Sequence, residues 1–165
     1  MRFLVLGAVA ATLASAAAAA PLSAPAAVSV TIAPKLEKQA VKTYGVREID
    51  QLASDLKRQV SRELDRTGAL AGGRVELTLV DVKPNRPTFQ QLGDTPGLSM
   101  QSFGVGGAKI EGRAISADGT VKPVSYQWYE TDIRQAWGRA TWGDTYYVFQ
   151  HVARQISRDA VVASR

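Results

Sequence analysis

From Val46 to Thr67 the chain reads VREIDQLASDLKRQVSRELDRT, and Ile49, Leu52, Ala53, Leu56, Val60 and Leu64 recur at intervals of one to four residues. That spacing gathers them into one stripe of an α-helix. Lys57, Arg58, Arg62 and Arg66 lie opposite, among Asp55, Glu63 and Asp65. Gly68 follows where a left-handed C-cap favours a residue without Cβ. A helix of about six turns with one apolar face has to dock on a second layer.

Four segments supply that layer. VSVTI (28–32) is β-branched and alternating, and Pro34 ends it. In GGRVELTLVDV (72–82), Val75, Leu77 and Leu79 share one face and Glu76, Thr78 and Val80 the other. AKIEGRAIS (108–116) alternates again, and Ala117-Asp118-Gly119 is a hairpin turn leading into TVKPVSYQWYE (120–130). Pro123 cannot donate to a ladder, which suits that last strand to a sheet edge or a strand beginning. TDIRQAWGRA (131–140) reads either as loop or as a helical turn. A second helix is expected from Thr141, where TWGD (141–144) has the form of a capping box, with Phe149, Val152, Ala153, Ile156 and Ala160 as its stripe. The expected fold is an α+β two-layer sandwich in the order β-α-β-β-β-α, with a mixed sheet of about four strands and two helices on one face. The first crossover is long enough for a parallel pair, which would be right-handed. One domain over 28–162 is expected, behind a tether at 21–27.

The first twenty residues read as a cleaved signal peptide. Arg2 is the positive region, Phe3 to Leu13 the apolar core, and Ser15 to Ala20 the small residues, with cleavage after Ala18 or Ala20. The apolar run is short for a membrane span. The chain has no cysteine, so an N-terminal lipid anchor, disulfides, thiol nucleophiles and cysteine-held metals are all excluded. The expected location is the periplasm of a Gram-negative bacterium, or the exterior. A net charge of +5 then points to lipopolysaccharide, anionic lipid or an acidic partner rather than to nucleic acid. Lys57, Arg58, Arg62 and Arg66 are the candidate basic surface.

Catalytic signals are sparse. The single histidine, His151, sits near the boundary of the last helix's apolar face and is read as packing against the sheet. No G-x-S-x-G elbow accompanies it. Glu130 and Asp132 could form a general acid/base pair, and an envelope-polymer hydrolase using them or His151 is the alternative function. The acidic residues are scattered, so no metal site and no cofactor are expected. GVGGAK (104–109) lacks phosphate-loop spacing, and its glycines are read as a tight turn, with a bulge, into the third strand. Trp128 and Phe149 are read as core, while Trp137, Trp142 and Tyr146 stay open between core and contact surface.

The connection KPNRPTFQQLGDTPGLSMQSFGVGG (83–107) is the anomaly. It carries three prolines and five glycines, yet Phe89, Leu92, Leu98, Met100 and Phe103 recur along it. Connections this long are functional or disordered, and the apolar anchors favour an ordered flap crossing the sheet edge between the second and third strands. The stretch VDVKPNRPTFQQLGDTPGLSMQSFGVGGAKIEG, with the later TW-x-D at 141–144, resembles uncharacterised exported domains of Gram-negative bacteria. Their element order is similar to that of small α/β domains in envelope-assembly proteins and auxiliary lipoproteins. The resemblance implies a non-enzymatic envelope-binding or accessory role and supplies no catalytic residue. The candidate contacts are Arg86, Phe89, Gln90, Leu98, Met100 and Phe103, with Trp137 and Trp142.

Overall fold

The computed structural model describes residues 24–163; the signal peptide expected at 1–20 and the first part of the expected tether lie outside them. The elements are β1 (Ala27–Ile32), α1 (Pro34–Gln39), a π-helical turn (Ala40–Tyr44), α2 (Val46–Thr67), β2 (Arg74–Lys83), α3 (Phe89–Asp94), β3 (Gly107–Ile115), β4 (Val121–Tyr129), α4 (Ile133–Ala136) and α5 (Gly143–Ala163). The sheet is mixed, in the order β1-β2-β3-β4: β1 runs parallel to β2, and the later pairs are antiparallel. The fold is an α+β sandwich, as the alternation and the one-sided helices imply.

One face of the sheet carries the core. Val28, Val75, Leu77, Leu79, Ala108, Ile110 and Val124 bury there against Ile49, Leu52, Leu56, Val60 and Leu64 of α2 and Val148, Phe149, Val152 and Ile156 of α5. Each such side chain contributes about 2 kcal/mol on leaving water, so the helices are held by their stripes. Gly68 closes α2 at φ 65°, in the left-handed conformation. The other face stays polar, with Ser29, Thr31, Glu76, Thr78, Glu111 and Arg113 in register across β1 to β3.

Three details depart from the sequence reading. The bulge lies in β2, where Leu79 pairs with Ile110 and Asp81 with Lys109, leaving Val80 as the extra residue. Strict alternation would place Asp81 in the core; the bulge flips the phase, so Val82 is buried and Asp81 faces outward. Gly107 serves a close approach instead: Tyr129 lies across it to donate its hydroxyl to Asp81 Oδ2 at 2.5 Å. A Cβ on Gly107 would stand 2.6 Å from the Tyr129 ring. Second, the 33–45 segment is helical. Pro34 both ends β1 and opens α1 at its first turn, where the missing N–H is harmless, and Leu36 and Ala40 are buried. Third, α5 starts at Gly143, two residues beyond Thr141, so TWGD is not a capping box. Its Asp144 has another task.

Candidate functional site

Four irregular segments meet at the end of the sheet where β2 hands over to the flap. The π turn closes with Gly45 N–H donating to Ala40 O at 2.9 Å, and Gly45 takes φ 96°, a conformation that favours glycine. Wide turns of this kind leave carbonyls available. Gln90 Nε2 donates to Val41 O at 2.9 Å, and Thr88 Oγ1 to Thr43 O at 3.4 Å. Thr88 also caps α3: its hydroxyl accepts from Gln91 N–H, and the Gln91 side chain returns a bond to Thr88 N–H. The capping box expected at 141–144 therefore stands at 88–91.

Glu48, in the first turn of α2, joins the flap to α5. Its Oε1 accepts from Phe89 N–H at 3.1 Å and its Oε2 from Trp142 Nε1 at 2.9 Å. A carboxylate is favoured there by the positive end of the helix dipole. Trp142 meets Tyr44 edge-on, with ring centroids 5.9 Å apart. Burial, then the Asp81 charge, push the Tyr44 hydroxyl pKa up.

Beneath the flap lies a buried polar knot. Asn85 and Asp144 are both fully buried. Asn85 Nδ2 donates to Asp144 Oδ2 at 2.5 Å and to Gly104 O at 3.2 Å, while Asn85 Oδ1 accepts from Asp144 N–H at 2.9 Å. Gly106 N–H donates to the same Oδ2 at 3.1 Å. The other oxygen, Oδ1, makes no hydrogen bond; it faces Arg139 Nε at 3.3 Å, a charge contact only. Both ends of the flap are thus fastened to the start of α5. A Cβ on Gly106 would meet the Asn85 amide at 2.6 Å, so that position requires glycine.

The result is a groove of about 820 Å3 lined by Val46, Arg47, Glu48, Leu52, Phe89, Gln90, Thr141, Trp142 and Tyr146, among others. Phe89 stands over it 80% exposed. Tyr146 donates its hydroxyl to Asp55 Oδ2 at 2.7 Å; burial first, then that bond, push its pKa up to about 12.

The candidate contacts divide accordingly. Phe89, Gln90 and Trp142 share the groove. Arg86, Leu98 and Phe103 line a neighbouring cavity of about 170 Å3. Met100, 51% exposed, sits with Phe89 over a small recess between them. Three roles change from the sequence reading. Arg86 donates to Arg139 O at 2.7 Å and Met100 O at 2.9 Å, so it braces the flap. Gln90 is tied to the π turn. Trp142 is 8% exposed and forms floor rather than contact surface. Trp137 ends α4, 76% exposed, outside the groove lining. The flap does not cross a sheet edge, because β2 and β3 are both interior strands and the edges are β1 and β4, the latter holding Pro123. Sequence reasoning missed Val46, Glu48, Asn85, Asp144 and the groove role of Tyr146.

Elsewhere, Glu130 Oε1 accepts from the Thr131 and Asp132 N–H groups. Asp132 caps α4 and pairs with Arg134, whose hydrogen bonds hold the carboxyl below its usual range. Both carboxylates serve the local backbone. His151 lies against Tyr126 and Tyr147, with centroids 5.9 and 4.3 Å away. Among the described residues no three of His, Asp and Glu converge as a metal site, and no helix is long and apolar enough to cross a membrane. Neither a protein-family model nor a curated protein matches this sequence.

Proposed function

We propose that the chain is an exported, non-enzymatic binding domain of a bacterial envelope, holding an apolar segment of a partner envelope protein in the groove between the flap and the start of α2. The observation that carries this reading is Phe89. The backbone that carries this side chain, 80% exposed, is fixed by the Phe89 N–H on Glu48 and by the capping box that starts one residue earlier. Ordering a flap to display an aromatic ring in water has a conformational cost that folding does not recover; a partner pocket recovers it. The groove falls within the ordinary size range of binding clefts, about 300–1,000 Å3, and its apolar walls, with Arg47 and Glu48 balancing each other in charge, fit a segment bearing a large apolar residue.

The test is a pair of groove variants, Phe89→Ala and Val46→Glu. Both positions are exposed, Val46 at 48%, so folding should hold. The partner cross-linked in cells, identified and then purified, should bind the wild-type domain at least tenfold more tightly than either variant. Equal binding by all three proteins would remove the groove from the interaction.

A further inference from the structure

Three of the four basic residues on the outer face of α2 are engaged within the helix. Arg58 pairs with Asp55, Arg62 bonds Gln59 Oε1, and Arg66 makes two bonds to Glu63. The cationic feature that survives folding lies between the C-terminal turns of α2 and α5. There a cleft of about 730 Å3 is lined by Arg66, Arg154 and Arg158 with Glu63, Thr67 and Ser157. The lining holds three guanidinium groups and one carboxylate. Hydrogen bonding from Arg66, then the charges of Arg66 and Arg154, hold the Glu63 pKa low, so it stays ionised and the lining keeps a surplus of positive charge.

Thr67 Oγ1 donates to the Glu63 and Leu64 carbonyls at 2.9 and 3.3 Å, which answers the negative end of α2. Lys122 Nζ donates to Asp159 O at 3.0 Å and brings a further cation to the last turns of α5, beside the Asp159 carboxylate. On the floor, Ser157 Oγ donates to Thr67 Oγ1 at 2.9 Å. Arginine forks are what phosphate oxygens bind. The cleft is far larger than one free phosphate ion, and the arginine stems give it apolar walls.

We infer that this cleft docks the phosphate headgroups of an anionic lipid surface. The site is separate from the groove, since the groove lining on α2 ends at Leu52 and the cleft lining begins at Glu63, about 16 Å further along the axis.

The test uses the processed protein purified from an expressing bacterium. It measures binding to vesicles of phosphatidylcholine alone, and of equal parts phosphatidylcholine and phosphatidylglycerol. The wild type should bind only the anionic vesicles. Arg154→Gln with Arg158→Gln should weaken that binding about 30-fold, without shifting the melting temperature. Lys35→Gln with Lys38→Gln, an equal loss of charge on α1, should leave it unchanged. An equal fall in both double variants would reduce the effect to net charge and overturn the cleft. Equal binding to neutral vesicles would overturn the headgroup. Displacement by millimolar inorganic phosphate would make the ligand free phosphate and overturn the lipid surface.

Discussion

Replacing Asp144 by alanine tests whether the flap is held as a unit. Asp144 Oδ2 receives two buried donors, Asn85 Nδ2 and Gly106 N–H. Alanine leaves the Gly106 N–H and one of the two Asn85 Nδ2 hydrogens without an acceptor, the other staying on Gly104 O, at about 1–3 kcal/mol each. Arg139, 44% exposed, recovers some of its loss in water. The expected penalty for the two orphaned donor hydrogens together is about 3–5 kcal/mol. For a domain of this size that lowers the melting temperature by about 10–15 °C. Asp144→Asn keeps the shape and one acceptor but loses the charge, and should cost about 1–2 kcal/mol. Urea unfolding of both variants gives the free energies, and amide hydrogen exchange gives the location. The Gly104 and Gly106 amides, bonded to Asn85 O and Asp144 Oδ2, should lose protection well before the centre of β3. A loss below about 1 kcal/mol for the alanine variant, or unchanged exchange at Gly106, would refute the reasoning.

Other outcomes follow from single contacts. Gly112→Ala would place a Cβ 2.1 Å from Glu76 O in the middle of the sheet; backbone there cannot yield cheaply, so a loss of at least 2 kcal/mol is expected in urea titration. Trp142→Phe removes the donor to Glu48 Oε2 and should cost about 1 kcal/mol by the same titration. The Tyr146 hydroxyl has a folded pKa raised to about 12, so its neutral form is favoured in the native state. Its contribution is complete below the ordinary tyrosine pKa near 10 and disappears as pH rises through about 12. Tyr146→Phe should therefore flatten the alkaline limb of stability and delete the phenolate absorbance step near pH 12. Glu76, with its pKa lowered by Arg74 and Arg113, and Asp132, lowered by Arg134, work in the opposite sense. Their support is complete above the usual carboxylate range and is lost as pH falls through their lowered values. Because both groups are exposed, 1 M salt should remove most of that acid dependence.

How much of this the sequence carries depends on distance along the chain. The stripe of α2 repeats within one helix, so Ile49, Leu52, Leu56, Val60 and Leu64 could be read as core, and all are buried. The bulge was readable in principle, since L-V-D-V at 79–82 breaks the alternation and only a phase change keeps Asp81 out of the core. The knot was not, because Asn85 and Asp144 lie 59 residues apart. Each alone resembles an ordinary turn or cap residue. The two capping motifs show the same limit: T-W-G-D looked like a cap and T-F-Q-Q is one. Local pattern offers both, and tertiary placement chooses between them. The flap's apolar spacing singles out Phe89, while Val46 and Glu48 on the groove wall come from the first turn of α2, where neither the apolar stripe nor the basic face marks them.

The most direct measurement places a photoreactive amino acid at position 89 and, in a second strain, at position 127 on the exposed opposite face of the sheet. A partner-binding groove predicts one discrete adduct from position 89 in living cells, lost on adding Val46→Glu, with none from position 127. Adducts of equal yield from both positions, or adducts from position 89 that survive Val46→Glu, would contradict it.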